Sequence, residues 1–326
     1  MIMYNVKIIS TGKYIPNNIV TNDDISKFVD TNDKWISERT GIKERRISTG
    51  ENTSDMAIKA AIAALEKSSI KASDLDLIIV ATCTPDSFVP STACIVQDKL
   101  GASKATCFDV SAACTGFIYA LGVASQFIKT GQVKNALVIG AETLSKMLNW
   151  EDRTTCILFA DGAGAAIVER SEEVGLISQY TGSDGTGGKA LKCDALPVRN
   201  PYCKVDDNFK DTLSMEGREV FKFAVNAMIE SVNKVLENTE YNLQDIDYIV
   251  PHQANIRIIE FVSKKLKIPQ DKFYVNLDKY GNTSGASIPI ALDEMNKKGM
   301  FKKGDKIILV GFGGGLTFGA HLIQWN

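Results

Sequence analysis

Ser73-Asp74-Leu75-Asp76-Leu77-Ile78-Ile79-Val80 has a near copy later in the chain, Gln244-Asp245-Ile246-Asp247-Tyr248-Ile249-Val250. Each places Asp-aliphatic-Asp before a short apolar run. Such a run, bounded by polar residues, reads as a strand buried on both faces. The copies extend outward. A helix predicted at Asn255–Leu266 answers the helix after Pro90, and a strand predicted at Lys272–Leu277 answers Ala105–Val110. Gly281-Asn282-Thr283-Ser284-Gly285-Ala286-Ser287 answers Ser111-Ala112-Ala113-Cys114-Thr115-Gly116. From Val80 to Cys114 is 34 residues, and from Val250 to Asn282 is 32. That period is too long for a solenoid and reads as duplication of a whole domain. Helices alternating with strands in each half argue for an α/β protein with mostly parallel sheets and helices on their faces.

The remaining elements fit between these. Asn5–Ser10 opens as a strand, and a helix starts at Thr53. Strands are expected at Asn135–Gly140, Asp161–Val168, Lys306–Gly311 and Thr317–Gln324, with a helix near Met215–Asn238. Residues 171–212 break the rhythm: Gly182 to Gly188 is glycine-rich, and Pro197 and Pro201 follow. Long irregular segments of this kind are often lids. The chain therefore divides into a first half, 1–170, a connecting excursion, 171–212, and a second half, 213–326.

Composition narrows the function. With 326 residues and a formal net charge of −2, the chain has no basic field for nucleic acid. Its seven cysteines form no CxxC and no disulfide-like framework. This is the pattern of a cytoplasmic protein with unpaired thiols. No apolar run reaches the length of a membrane span; Ile157–Val168 is broken by Asp161 and glycines.

Cys114 follows the strand ending at Val110 and precedes a helix rich in small residues. Free N–H groups and the positive dipole end gather at a helix start, and both favour the thiolate. The alternative is a buried structural cysteine. If the two halves pack about a pseudo-twofold axis, Cys114 and Asn282 face each other across one pocket. His252, just past the strand Tyr248–Val250, lies at the strand end where ligands of α/β sheets bind. It can pair with the thiol. It can also join Asn282 as a neutral donor to one carbonyl oxygen, which would stabilise an enolate. A half-buried, satisfied histidine is the other reading. His321, inside the last strand, reads as structural. Trp35 and Arg39, four residues apart, would share one helix face.

Taken together, Asp109–Phe117, Pro251-His252-Gln253-Ala254-Asn255, Gly281-Asn282-Thr283-Ser284 and Gly311-Phe312-Gly313-Gly314-Gly315 resemble the β-ketoacyl-acyl-carrier-protein synthase III family. Trp35–Gly41, Asp152-Arg153-Thr154-Thr155 and Phe159–Gly164 match as well. The resemblance implies a thiolase-like fold: a duplicated αβαβα five-layer architecture with mixed, mainly parallel sheets. It implies that Cys114 carries an acyl group taken from acyl-CoA. His252 and Asn282 would hold the thioester oxygen of malonyl-acyl carrier protein as carbon dioxide leaves. The N–H groups of Cys114 and Gly314 would form the oxyanion hole, and Phe312 would pack beside the malonyl carboxylate. Trp35 and Arg153 would sandwich the adenine of CoA, with Arg39 and Thr40 beside the nucleotide. Lys222 and Arg257 would meet the acidic carrier protein, with Lys264 and Lys265 extending the patch or forming a solvated face. No metal or redox cofactor is implied. A homodimer is, with the residue before Pro90 reaching the partner's acyl pocket.

That residue is Val89, after Phe88, so longer or branched primers are expected. The related elongating synthases have a second histidine where Asn282 stands. Biosynthetic thiolases need a cysteine near Gly311–Gly315, and hydroxymethylglutaryl-CoA synthases a glutamate near Thr82 and Cys83. A secondary-metabolite relative with the same triad, or a non-catalytic acyl- or CoA-binding protein, are the readings left beside it.

Overall fold

In the computed structural model, which describes residues 3–203 and 209–326, each copied motif is a 3-10 turn feeding the expected strand. Ala72–Asp74 leads to Leu77–Ala81, and Leu243–Asp245 leads to Tyr248–Pro251. The second aspartate of each motif has the same task. Asp76 accepts from Lys134 N–H at 2.7 Å, and Asp247 accepts from Lys306 N–H at 2.7 Å. Each thus pins the chain just where it enters the neighbouring strand, Asn135–Thr143 or Lys306–Gly313.

Five strands form the first sheet, in the order Asn5–Tyr14, Asp161–Ser171, Asn135–Thr143, Leu77–Ala81, Thr106–Val110. Four form the second, in the order Leu176–Ser183, Thr317–Gln324, Lys306–Gly313, Tyr248–Pro251. Read this way, the second sheet repeats the first four positions of the first. Among these strands, parallel pairing joins Leu77–Ala81 to its two neighbours and Tyr248–Pro251 to Lys306–Gly313. The other four contacts are antiparallel. The sheets are mixed, and less parallel than helix–strand alternation suggests. The last two strands of each half follow one another without a crossover helix, so the chain returns antiparallel.

Two sequence expectations need correction. Lys272–Leu277 is not a strand: it makes a single parallel bridge, Ile249 to Phe273. Asn276 N–H is captured by the Gln253 side chain at 2.9 Å, so the segment does not continue as a ladder. Nor is 171–212 one long excursion, because Leu176–Ser183 is an integral strand of the second sheet. Residues 204–208 of that segment lie outside the described residues.

The layers follow from side-chain alternation. In Leu77–Ala81, Leu77, Ile79 and Ala81 face the middle of the molecule, whereas Ile78 and Val80 face helices Thr53–Leu65 and Thr92–Leu100. In Lys306–Gly313, Ile307 and Leu309 face the middle, and Ile308 and Val310 face helices Gly217–Leu236 and Ile256–Leu266. Helices Gly116–Lys129 and Ser287–Lys297 fill the middle, giving helix, sheet, helix, sheet, helix. Glycine sets how closely these layers approach. A Cβ on Gly140 would sit 2.2 Å from Gly285 O.

Candidate active site

Two turns meet at this central seam. Ala113 has φ 44° and opens the 3-10 turn Ala113–Thr115, which runs into the Gly116–Lys129 helix. Ser284 has φ 47° and opens Ser284–Ala286, which runs into Ser287–Lys297. The turns are equivalent, as the duplication implies, but the positions are offset. By the positive-φ residue, Cys114 corresponds to Gly285, and Asn282 to Ser111. A Cβ on Gly285 would lie 3.1 Å from Ala113 O, so glycine lets the turns touch.

Cys114, His252, Asn282 and Phe312 line one small cavity of about 140 Å³. The Asn282 backbone is pinned in a single parallel bridge beside Phe159: its N–H donates to Leu158 O, and its O accepts from Ala160 N–H, both at 2.9 Å. Its Oδ1 accepts from Ser284 N–H at 2.8 Å, which orients the amide and leaves Nδ2 free to donate. His252 is buried, with Nδ1 2.7 Å from Ser287 Oγ. Its Nε2 is buried and has no partner among the described residues. Phe312 packs against the ring nearly edge to face, at 5.3 Å between centroids. Burial pushes the His252 pKa down to about 3, so the ring is neutral.

Cys114 differs from the sequence expectation in its charge state. It sits one residue before the helix N-cap, as placed, yet it is buried. Burial pushes its thiol up to about 12, against a smaller downward pull from Ser284. Desolvation outweighs the helix end, so the resting group is a thiol. Behind it lies Glu142, a buried carboxyl that the sequence reading missed. It accepts from Thr84 Oγ at 2.7 Å, Cys83 N–H at 3.1 Å and Ser284 Oγ at 3.1 Å, and burial raises its pKa. An acid inside the apolar run Ala136–Thr143 was the available signal.

Gly313 and Gly314 close the other side. A Cβ on Gly313 would fall 2.7 Å from Cys114 N, so only glycine allows this approach. Thr317 Oγ lies within hydrogen-bond reach of both Gly314 O, at 3.0 Å, and Ala112 O, at 3.2 Å, and it contacts Thr115 Oγ. Thr317 thereby ties the glycine turn to the cysteine turn, a link invisible in sequence. Cys114 and Gly314 also line a second, larger cavity of about 830 Å³. Phe88 lines it too. Val89 does not, and is 84% exposed.

Trp35 carries two cations over its ring, Arg39 at 4.6 Å and Arg153 at 4.9 Å from the centroid. Arg153 is held there by Asp30 O at 2.7 Å. A flat ring between Trp35 and Arg153 needs about 7 Å, two van der Waals spacings, so Arg153 must swing away to admit one. Thr40 does not join this group: its buried hydroxyl donates to Ile36 O at 2.7 Å and accepts from Ile42 N–H at 3.0 Å, closing its own helix. Lys222 and Arg257 stand on the two helices that flank the small cavity, next to its lining residues Phe221 and Ile258. Arg257 Nε donates to Glu38 O at 3.0 Å, which joins this rim to the Trp35 helix. Lys264 and Lys265 are exposed further along the second helix. Among the described residues no helix is long and apolar enough to cross a membrane.

A family model described as 3-oxoacyl-[acyl-carrier-protein (ACP)] synthase III matches residues 108–185, and one for its C-terminal part matches 236–325. The chain is 81% identical over 324 residues to the beta-ketoacyl-[acyl-carrier-protein] synthase III of Clostridium novyi (strain NT), covering 99% of this chain and 100% of that one. Identity to the same-named protein of Clostridium acetobutylicum is 61%, with the same coverage. The crystal structure of 3-oxoacyl-[acyl-carrier-protein] synthase III from Aquifex aeolicus VF5 superposes with a TM-score of 0.92 at 48% identity, covering 98% of this chain and 100% of that one.

Proposed function

The chain belongs to the 3-oxoacyl-[acyl-carrier-protein] synthase III family, and on that premise we propose that Cys114, His252 and Asn282 carry its reaction. The protein is an acyltransferase-class condensing enzyme that initiates fatty acid synthesis. It joins a short acyl group from acyl-CoA to malonyl-acyl carrier protein with loss of carbon dioxide. One observation supports the residue roles above the rest: the thiol, the unpartnered His252 Nε2 and the Asn282 amide line the same cavity.

The steps follow from that arrangement. Cys114 sulfur attacks the acyl-CoA carbonyl, and the thiol proton ends on the departing CoA sulfur. The N–H groups of Cys114 and Gly314 receive the oxyanion. Malonyl-carrier protein then brings its thioester oxygen against His252 and Asn282. Decarboxylation leaves an enolate on that oxygen, and neutral donors stabilise it without a bound counter-charge. Phe312 beside His252 keeps the malonyl carboxylate poorly solvated, which favours its loss. The enolate carbon attacks the acyl-enzyme and releases Cys114, which regains a proton from water. No residue in this sequence of steps calls for a metal or redox cofactor.

Finer features belong to the same proposal. Trp35, Arg39 and Arg153 hold the CoA nucleotide, with Arg153 moving to admit the adenine. Lys222 and Arg257 receive the acidic carrier protein at the rim. The 830 Å³ cavity beside Cys114 supports primers longer than acetyl, with Phe88 in its wall. Val89, exposed beside it, is the candidate contact of a homodimer working in the cytoplasm.

The test is stepwise. Labelled acetyl-, butyryl- and isobutyryl-CoA are each incubated with the protein, and acyl-Cys114 is sought by mass spectrometry before malonyl-carrier protein is added. Acylation is expected with all three. Absence of any acyl-enzyme would sink the assignment of Cys114, and a strong preference for acetyl would sink the primer reading. His252→Ala and Asn282→Ala should lose about 10²–10³-fold in condensation while still being acylated.

A further inference from the structure

Among the described residues, the one side chain hydrogen-bonded to the His252 ring is that of Ser287, the first residue of the Ser287–Lys297 helix. Ser287 is buried, and its Oγ lies 2.7 Å from His252 Nδ1. The same oxygen accepts from Gln253 N–H at 3.4 Å. Among the described residues Ser287 Oγ has no further partner. A serine hydroxyl carries one proton to donate. With Gln253 N–H on one lone pair, the acceptor open to that proton is His252 Nδ1. Nδ1 then holds a lone pair, and the ring proton sits on Nε2. The reverse arrangement, Nδ1–H onto Ser287, strands the hydroxyl proton in a buried site without an acceptor, which native interiors avoid. It also leaves Nε2 facing the cavity as a bare acceptor.

The surroundings hold this geometry. Gln253 Nε2 donates to Pro251 O at 2.8 Å and to Tyr274 O at 3.0 Å, and Oε1 accepts from Asn276 N–H at 2.9 Å. The Gln253 backbone N–H therefore stays on Ser287. Phe312 packs against the other side of the imidazole. We propose that Ser287 is a positioning residue that fixes His252 in the Nε2–H tautomer, making it a hydrogen-bond donor rather than a base toward the thioester oxygen. The inference rests on the donor role assigned to His252 above, and its test separates the two.

The chain has only two histidines, so ring ¹⁵N–¹H correlation spectra of the full-length, ¹⁵N-histidine-labelled protein contain two signal sets, assigned with His252→Ala. At neutral pH the wild-type His252 should show a protonated Nε2 and a bare Nδ1. Ser287→Ala should give a mixture of tautomers. Its condensation rate from preformed acyl-enzyme should fall about tenfold, while acylation of Cys114 by acyl-CoA stays within about twofold. Ser287→Thr, which keeps the hydroxyl, should restore both readings. A wild-type ring protonated at Nδ1 overturns the proposal, and this spectrum decides it even if Ser287→Ala does not fold. An alanine variant with unchanged tautomer and unchanged condensation also overturns it. A shifted tautomer with unchanged condensation overturns the donor role of His252 instead, leaving the tautomer assignment standing.

Discussion

Burial decides the charge of the site's residues. Cys114 rests as a thiol and His252 as a neutral ring, both because the seam between the halves excludes water. Neutral His252 needs no proton from solvent, so condensation should show no acid limb near pH 6.5 from this group. His321 shows the same physics away from the chemistry. It is buried in the last strand, its Nε2 is 2.8 Å from Ile118 O, and burial lowers its pKa to about 4. Between about pH 4 and 6.5 the unfolded ring binds a proton that the folded ring refuses. Stability from this residue is therefore complete above pH 6.5 and falls as pH drops toward 4. His321→Gln, which keeps a donor for Ile118, should flatten the slope by about 1.4 kcal/mol per pH unit in urea titrations between pH 6 and 4.5. An unchanged slope would contradict a buried neutral ring.

Among the elements, the glycine turns set the tolerances. Gly313→Ala puts a Cβ 2.7 Å from Cys114 N and 3.0 Å from Cys114 Cβ, so the backbone of the cysteine turn or of the glycine turn must shift. Overpacking of this kind costs about 1–3 kcal/mol. The variant should melt earlier and acylate at least about tenfold more slowly. Gly311→Ala is the control on the same strand: its Cβ meets Ile288 Cδ1 at 3.4 Å, an ordinary contact, and acylation should be nearly unchanged. The helix Asp33–Thr40 presents the Trp35 platform at the rim. Arg153→Ala should raise KM for acyl-CoA about fivefold, the worth of one solvent-exposed cation–π contact, with little change in kcat. The same variant should be indistinguishable from wild type on an acyl-pantetheine thioester lacking the nucleotide. A loss on both substrates would place Arg153 in the fold rather than at the nucleotide.

Across the whole molecule, the halves are held together by more than the apolar seam. Asp293, buried on the second central helix, accepts from Thr11 Oγ at 2.9 Å and pairs with Lys67 at 2.7 Å, both from the first half. Glu294 beside it pairs with Lys13 at 3.2 Å and Lys298 at 2.8 Å. The contacts to Thr11, Lys67 and Lys13 cross between the halves and fix the sliding position of one on the other, and hence the meeting of the Cys114 and Asn282 turns. Asp293→Ala should lower unfolding free energy by about 2 kcal/mol, because a charge-assisted, buried acceptor is lost. Equilibrium urea denaturation measures this directly, and a change within about 0.5 kcal/mol would show that the apolar seam alone sets the register.

Much of this was legible from residues in order. The repeated Asp-aliphatic-Asp strands announced the duplication, because a strand buried on both faces leaves an unmistakable apolar run. From duplication came the expectation that the turns of Cys114 and Asn282 meet, and the motifs named the chemistry. What sequence spacing does not encode is depth and sideways contact. Thr40 sits next to Arg39 but turns its hydroxyl into its own helix. The Lys272–Leu277 pattern is strand-like, yet Gln253 takes a backbone donor that a ladder needs. Ser284 and Thr317 reach the Cys114 turn only by packing across the seam between the halves, whereas Glu142 packs behind that turn within the first half and Ser287 meets His252 within the second. Which residue types are proposed to carry the chemistry could be read from the chain alone. The tertiary structure decided their charge states, since a pKa depends on how much water remains around a group once the halves close.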